Sequence, residues 1–187
     1  MKTVHIAVVL ALTLVACQSS ANRMPVETAG VDPLFSETGP KDVVVLPVDA
    51  SELTRDETER VAFPEEVMRE SLRKYLIAKK SYAVPTADWT DDTLSSVGRE
   101  ALDTDAILEI KMRQWDTSLL SPRGVIYAGA DFRLLTPDGR QELWHYTCRD
   151  RQIPIPGPWG ESAASANAEM AARRLAEDAL SRLPHRD

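Results

Sequence analysis

The sequence has few residues of the types that ligate metals or act as nucleophiles. Of its 187 residues, only two are cysteine and three are histidine. His145 is the only histidine inside the predicted folded region, because His5 lies near the start of the chain and His185 near its end. No second histidine stands at a metal-ligand spacing from His145, so we expect no metal site. We interpret His145 as a solvent-facing strand residue.

The short motifs of common enzyme classes are also missing. The chain contains no Gly-x-Ser-x-Gly, no phosphate-binding loop and no dinucleotide fingerprint. The acidic cluster of Asp88, Asp91 and Asp92 lacks the regular spacing and the glycine of a calcium loop, and is interpreted as the start of a helix. The sequence therefore predicts no catalytic residues, no cofactor and a protein that is not an enzyme.

Positive charge is scarce. The chain holds 22 lysine and arginine residues against 29 aspartate and glutamate residues, a formal net charge of −7. An acidic domain gains nothing by approaching phosphates, and no basic stripe with interleaved aromatic residues is present. We therefore predict that nucleic acids are not among its partners.

Long apolar runs are missing as well. The run from Ile6 to Ala16, interrupted by Thr13, is too short to cross a hydrocarbon layer of about 30 Å as a helix. With Lys2 ahead of it and small residues at its end, this run is typical of a signal peptide. We expect residues 1–16 to be removed.

The tetrapeptide Leu14-Val15-Ala16-Cys17 resembles the lipobox of bacterial lipoproteins. The resemblance implies that Cys17 is lipidated and becomes the new first residue, and two or three acyl chains make a stable membrane anchor. Gln18 follows, where aspartate would resemble an inner-membrane retention mark. The expected location is the periplasmic side of the outer membrane, with the inner membrane as the alternative. An ordinary cleaved signal with a chance cysteine is the other interpretation of this stretch.

Cys148 has no disulfide partner in the chain if Cys17 is used by the anchor. Strand alternation places Cys148 on the same side as Trp144 and Tyr146, so we interpret it as a buried packing residue. A nucleophilic or an intermolecular cross-linking thiol is the alternative.

Residues 17–40 show no sustained periodicity and are scattered with Ser, Pro, Gly and Thr. We predict that they form the lipidated cysteine and a flexible tether, followed by one domain over residues 41–187. As an alternative, Met24, Val26, Leu34 and Phe35 pack as a short strap on that domain.

The rest of the chain alternates between strand and helix patterns. A continuous apolar run at 43–46 indicates a buried central strand, and period-two alternation later in the chain indicates strands with one buried face. Pro137-Asp138-Gly139-Arg140 predicts a hairpin turn. The predicted elements are strand 43–46, helix 64–79, strand 81–85, helix 91–101, strands 104–117, 125–135 and 141–148, and helix 162–183.

This order, β-α-β-α-β-β-β-α, predicts an α/β (α+β) fold class. Early strands that are joined by helices favour parallel pairing, and the late hairpins favour antiparallel pairing. We therefore expect a mixed β-sheet of about five strands with helices packed on it.

The lipobox, the tether and the pairs Leu46-Pro47, Asp105-Ala106 and Leu143-Trp144 resemble a group of small envelope lipoproteins. This group includes the curli secretion lipoprotein and the periplasmic activators of penicillin-binding proteins, whose α/β domain is similar to the amino-terminal domain of the Tol-system propeller protein. The nearer resemblance is to the neisserial-type putative lipoprotein family. The resemblance implies no catalytic residue. The "TSLLSPRG" link is too short to supply the membrane-inserted strands of the curli pore, so we do not expect such a pore.

The stretch Ile153–Gly160, "IPIPGPWG", contains three prolines and is predicted to be irregular. Proline stiffens a loop and lowers the entropy lost on docking, and an exposed tryptophan can anchor an interface. Pro154, Pro156, Pro158 and Trp159 are therefore candidate partner-binding residues. The alternative is that Trp159 packs the loop onto its own domain.

Three functions remain open from the sequence. The first is a membrane-anchored, non-catalytic binding or accessory module for an envelope protein or for a second copy of itself. The second is an oligomeric subunit of an export or transport assembly. The third is a cell-wall hydrolase, which would need carboxylates that converge in a pocket.

Overall fold

The computed structural model of the protein describes residues 24–54, 61–85 and 102–186. Five strands form one mixed sheet in the order β1-β5-β4-β3-β2. This confirms the predicted fold class. The predicted helix at 91–101 lies outside the described residues. In chain order the elements are β1 (Val26–Val31), α1 (Pro33–Thr38), β2 (Val43–Asp49), α2 (Glu65–Lys80), β3 (Ala106–Asp116), α3 (Leu120–Arg123), β4 (Val125–Leu135), β5 (Glu142–Pro154), a 3-10 turn (Glu161–Ala163) and α4 (Ala164–Ser181).

Strand pairing follows the connections. β2 and β3, which are separated by α2, pair in parallel, whereas β3, β4 and β5 form an antiparallel meander. The predicted turn between β4 and β5 closes through a hydrogen bond from the Gly139 amide to the Thr136 carbonyl oxygen at 2.8 Å. Gly139 has φ +71°, a conformation that glycine adopts without steric cost.

The core lies between one face of the sheet and two helices. The predicted alternation is confirmed, because Leu108, Ile110, Phe132 and Leu134 are buried in one cluster with the apolar residues of α2 and α4. The buried stripe of α4 consists mainly of alanine, whose small side chain lets the helix backbone lie close to its neighbours. Its members are Ala168, Ala171, Ala172, Leu175, Ala176, Ala179 and Leu180.

Over residues 26–38 the sequence predicts a flexible tether, but the structure has a strand, β1, and a short helix, α1. β1 pairs with β5 in an antiparallel register that runs from Val26–Arg149 to Val31–Trp144, and α1 places Phe35 in the core with 8% exposure. This corresponds to the alternative of a strap on the domain. A charged cluster also holds β1: Glu27 pairs with Arg151 and with Arg182, the latter at 2.6 Å.

Three further differences concern strand positions. β2 is buried as predicted. It is not central, because it lies at one end of the strand order β1-β5-β4-β3-β2. The predicted strand 81–85 is reduced to a single bridge between Asp42 and Ala83. β5 continues into the predicted irregular stretch as far as Pro154, because the strand end pairs with the start of β4.

Candidate functional site: the open face of the sheet

The face of the sheet opposite the helices carries polar side chains of β3, β4 and β5. We call this surface the open face. It forms a broad, shallow depression of about 1210 Å³. Near β2 it is bordered by a small apolar cluster that contains Val44, Leu46, Leu102 and Ile107. The polar residues at the centre of the open face are Lys111, Arg113, Asp131, Arg133, Thr147 and Arg149.

A chain of ion pairs crosses the open face. Glu52, from the turn after β2, pairs with Lys111 at 2.6 Å and with Arg113. The other side of the Arg113 guanidinium donates to Asp131 Oδ2 at 2.7 Å, and Asp131 Oδ1 accepts from Arg149 at 2.7 Å. The chain therefore joins β3, β4 and β5 through charged side chains that hold one another in place.

Asp131 is the central acceptor of this chain. Burial acts to raise the pKa of its carboxyl, but hydrogen bonds from Arg113, Arg149 and Thr147 outweigh burial and hold the pKa below its usual range. The carboxyl is therefore ionised at neutral pH. A group of this kind is a poor proton donor, which argues against Asp131 as a general acid.

The lowered pKa of Asp131 gives a pH-dependent prediction. Its ionised form stabilises the fold above the unfolded pKa of about 4, and this contribution is lost as pH falls through the lower folded pKa. We expect Asp131→Asn to reduce the free energy of unfolding by about 1 kcal/mol at pH 7, a modest value because solvent screens its partners. Urea unfolding of both proteins should show the difference in unfolding free energy narrowing as the pH falls below about 4. A difference that does not vary with pH would contradict this account.

Bulges on neighbouring strands shape the open face. The register of β3 with β4 shifts between Met112 and Gln114, and that of β4 with β5 shifts between Ala128 and Ala130. At the second shift Asp150 has φ +49°, and its amide donates to Gln114 Oε1 at 3.1 Å. Bulges of this kind re-aim side chains and often lie beside functional sites.

A second group of polar side chains lies between β1 and the end of β4. Arg133 donates to Glu142 at 2.7 Å, and the other Glu142 oxygen lies 2.8 Å from His145 Nδ1. The His145 ring covers Gly30 of β1, where an added Cβ would lie 2.6 Å from the ring. His145 faces away from Trp144 and Tyr146 and is partly exposed, as predicted.

Cys148 lies on the core side of β5 and is fully buried, as its interpretation as a packing residue requires. Burial raises the pKa of its thiol to about 11. At pH 8 the reactive thiolate is then about a thousandth of the population.

We expect a thiol reagent at pH 8 to leave Cys148 unmodified in the folded protein and to modify it in urea. Rapid labelling without denaturant would contradict this burial.

The proline-rich stretch places its residues at the surface after β5. Pro154, Pro156 and Pro158 are exposed, and Trp159 is 40% exposed. Trp159 Nε1 donates to the Ile155 carbonyl oxygen at 2.8 Å, so the indole closes the loop on itself. The structure thus brings these four residues together, and their role in partner binding stays a prediction.

The indole of Trp159 also covers Gly124, which follows α3. Gly124 has φ +63°, and an added Cβ would lie 2.4 Å from the indole. We expect Gly124→Ala to displace Trp159 and to cost about 1–2 kcal/mol of stability. Gly39 is a matched control, since its φ is +50° and no atom beyond its two chain neighbours lies within 4 Å of an added Cβ.

Urea unfolding separates the two effects at Gly124. Gly39→Ala should lose less stability than Gly124→Ala, because it adds backbone strain without a clash. Combining Gly124→Ala with Trp159→Ala should cost less than the sum of the single changes, since the clash is then gone. Equal losses in the two glycine variants would show that the indole does not rest on Gly124.

Sequence reasoning did not identify the open-face charges as a site. The sequence does show polar residues at alternate positions of β3, β4 and β5, which indicates one polar face on each strand. Only the register shows that Arg113, Asp131 and Arg149 are neighbours.

Cys17 lies outside the described residues. Within the described ranges, no helix has the length and hydropathy needed to cross a membrane, and no group of three or more His, Cys, Asp or Glu side chains could hold a metal ion.

No family model matches the sequence, and no curated protein matches it. Similar folds are found among solved structures. The PelC dodecamer from Paraburkholderia phytofirmans is 15% identical, with 88% of this chain and 100% of that chain covered and a TM-score of 0.57. Protein CT253 from Chlamydia trachomatis is 12% identical, with coverages of 76% and 94% and a TM-score of 0.51.

Lipoprotein GNA1162 from Neisseria meningitidis is 18% identical, with 74% of this chain and 97% of that chain covered and a TM-score of 0.42. A TM-score of this size does not establish a shared fold. For PelC and CT253, identities this low show a shared fold alone. The chain therefore has the α/β fold of these two proteins.

Proposed function

We propose that the protein is a lipid-anchored, non-catalytic accessory module of the bacterial envelope that binds a protein partner through its open face. The observation that carries this proposal is the chain of ion pairs across β3, β4 and β5. Small-molecule sites are usually concave and mostly apolar. The open face is instead broad, shallow and charged, which suits a protein surface of complementary charge.

The ion pairs prepare the open face for binding. Each charged group is already held by a neighbour on the next strand or in the turn after β2, so less side-chain entropy is lost when a partner docks. Mixed charges also favour the correct partner over others, because a like-charge contact is costly. The paired state of Asp131 supports binding over catalysis, since a hydrolase needs a carboxylic acid with a raised pKa.

The anchor in this proposal is the lipid on Cys17, and the location is the periplasmic side of the outer membrane. The support is the lipobox sequence. Metabolic labelling with a fatty acid, followed by membrane fractionation, tests it directly. Label and membrane attachment should both be lost in Cys17→Ser. A label that persists in this variant would disprove anchoring at Cys17.

The open face is tested by exchanging the charges of Arg133 and Glu142. The double variant Arg133→Glu/Glu142→Arg keeps an ion pair between the two positions but reverses the charges presented to a partner. Cross-linking in native envelopes should capture a partner with the parent and lose it with this variant. Urea unfolding must show that the variant is folded. If capture is unchanged by the exchange and lost in Trp159→Ala, the proline-rich stretch is the interface.

A second candidate function is an oligomeric subunit of an export or transport assembly. It is favoured by one observation, the shared fold with PelC, whose solved structure is a dodecamer. Under this candidate, the intact lipoprotein extracted in detergent should have the mass of a large closed oligomer. A monomer or dimer would leave the binding module as the better description.

A further inference from the structure

β1 forms one edge of the sheet in the part of the chain that the structure describes. Its single neighbouring strand is β5. The Asp32 amide donates to the Leu143 carbonyl oxygen at 2.9 Å, and this continues the β1–β5 register. Along an antiparallel strand the backbone groups point alternately to the two sides. The backbone groups of Val26, Thr28 and Gly30 therefore face β5, and those of Glu27, Ala29 and Val31 face outward.

This edge has one of the devices that usually block further pairing, the charge of Glu27 on the helix side, and Arg151 and Arg182 neutralise that charge. Natural edge strands carry inward-pointing charges, lysine, proline or a bulge. The sequence of β1, Val-Glu-Thr-Ala-Gly-Val, contains no lysine or proline, and its pairing with β5 has no register shift. Exposed apolar side chains also gather here: Met24 is 80%, Val26 58% and Val31 49% exposed. Such an edge is a template for another strand.

We propose that a second copy of this chain pairs with β1 across this edge, antiparallel and centred on Ala29. In this register Ala29 of each copy exchanges two hydrogen bonds with Ala29 of the other, and Glu27 of each copy does the same with Val31. All three outward-facing residues are then paired. The two sheets become one continuous sheet, and the open faces of both copies lie on the same side.

The charges of β1 do not oppose a second copy in this register. The only acidic or basic side chain of β1 is Glu27, which pairs on the helix side with Arg151 and Arg182. Opposite it lies Val31 of the second copy, so no two like charges meet across the axis. On the open face, Thr28 lies opposite Gly30, which is covered by the His145 ring of its own copy.

The membrane anchor brings the two edges together, and this step rests on the proposed function. Val26 lies nine positions after Cys17, a span of at most about 30 Å. Copies on one membrane therefore hold their β1 edges at a similar height, and confinement raises their effective concentration.

Cysteine cross-linking of the full-length chain in native envelopes tests the pairing. Opposed Cα atoms of a hydrogen-bonded antiparallel pair lie about 5.5 Å apart, within the range of a disulfide. Ala29→Cys should therefore give a disulfide-linked dimer on mild oxidation. Val26→Cys is the matched control on the same strand. Its Cα atoms lie about 20 Å apart in this register, so it should not cross-link. The parent, with Cys17 and Cys148, sets the background.

The cross-linking yields of Ala29→Cys and Val26→Cys distinguish symmetric pairing of β1 from random collision between copies. Val26 is highly exposed, so random encounters would cross-link Val26→Cys at least as well as Ala29→Cys. Cross-linking of Ala29→Cys at least tenfold above Val26→Cys supports the symmetric pairing. Equal yields, or yields at the parent level in both variants, overturn it.

Two further variants separate edge pairing from fold and from anchoring. Ala29→Pro removes an outward-facing amide and leaves the bonds to β5, so it should convert the detergent-extracted protein from dimer to monomer without unfolding it. A dimer that persists in this variant overturns the proposal. Adding Cys17→Ser to Ala29→Cys tests the anchor. A lower yield supports its contribution, whereas an unchanged yield supports edge pairing alone and counts against the anchor.

Discussion

A form of the protein that begins at Lys41 is expected to be much less stable than one that begins at Met24. The shorter form lacks β1 and α1 and thereby exposes the edge of β5. It also loses Phe35 from the core and Glu27 from Arg151 and Arg182. Loss of a buried phenylalanine side chain alone costs about 3–5 kcal/mol.

Thermal unfolding of the two forms measures this effect. For a chain of this size, 1 kcal/mol corresponds to about 2–4 °C in Tm, so the Lys41 form should unfold at least about 10 °C below the Met24 form. Phe35→Ala in the longer form should reproduce a large part of the loss. Equal Tm values would mean that residues 24–40 behave as the tether that composition alone predicts.

The second large effect is expected at the alanine stripe of α4. Ala172 is fully buried, so Ala172→Leu forces additional carbon atoms into a closed interface. Overpacking typically costs about 1–3 kcal/mol, and more where the backbone must move. We expect a loss of about 3 kcal/mol in the free energy of unfolding by urea.

Ala166→Leu is the matched control for this change. Ala166 lies on the same helix and is exposed, and both substitutions replace one strong helix former by another. Ala166→Leu should therefore change stability by less than about 0.5 kcal/mol. Similar losses in the two variants would show that helix propensity, and not packing, determines the effect.

The central part of the fold follows from the sequence because its determinants are local. Period-two alternation in β3 and β4, the Pro137–Arg140 turn and the helical stripe of α2 each depend on residues close in the chain. β1 does not follow. Its sequence includes Glu27, Ala29 and Gly30, which are poor strand formers, and its partner β5 lies more than 100 residues later in the chain.

The open face could be predicted only in part. Alternation places charged residues on one side of each strand, and the sequence shows as much. The pairing of Arg113 with Asp131, and of Asp131 with Arg149, depends on register shifts at bulges. Such shifts leave no clear pattern in a single sequence. The membrane anchor shows the reverse case: the lipobox predicts it, and its residues lie outside the described part of the chain.

The most direct test of the central claim, that the open face binds a protein partner, is the affinity of the captured partner for two forms of the protein. These are the parent and the folded variant Arg133→Glu/Glu142→Arg. Binding through complementary charges should weaken at least tenfold on the exchange, and parent binding should weaken as ionic strength rises. An exchange variant that binds as tightly as the parent, at both low and high salt, would contradict the claim.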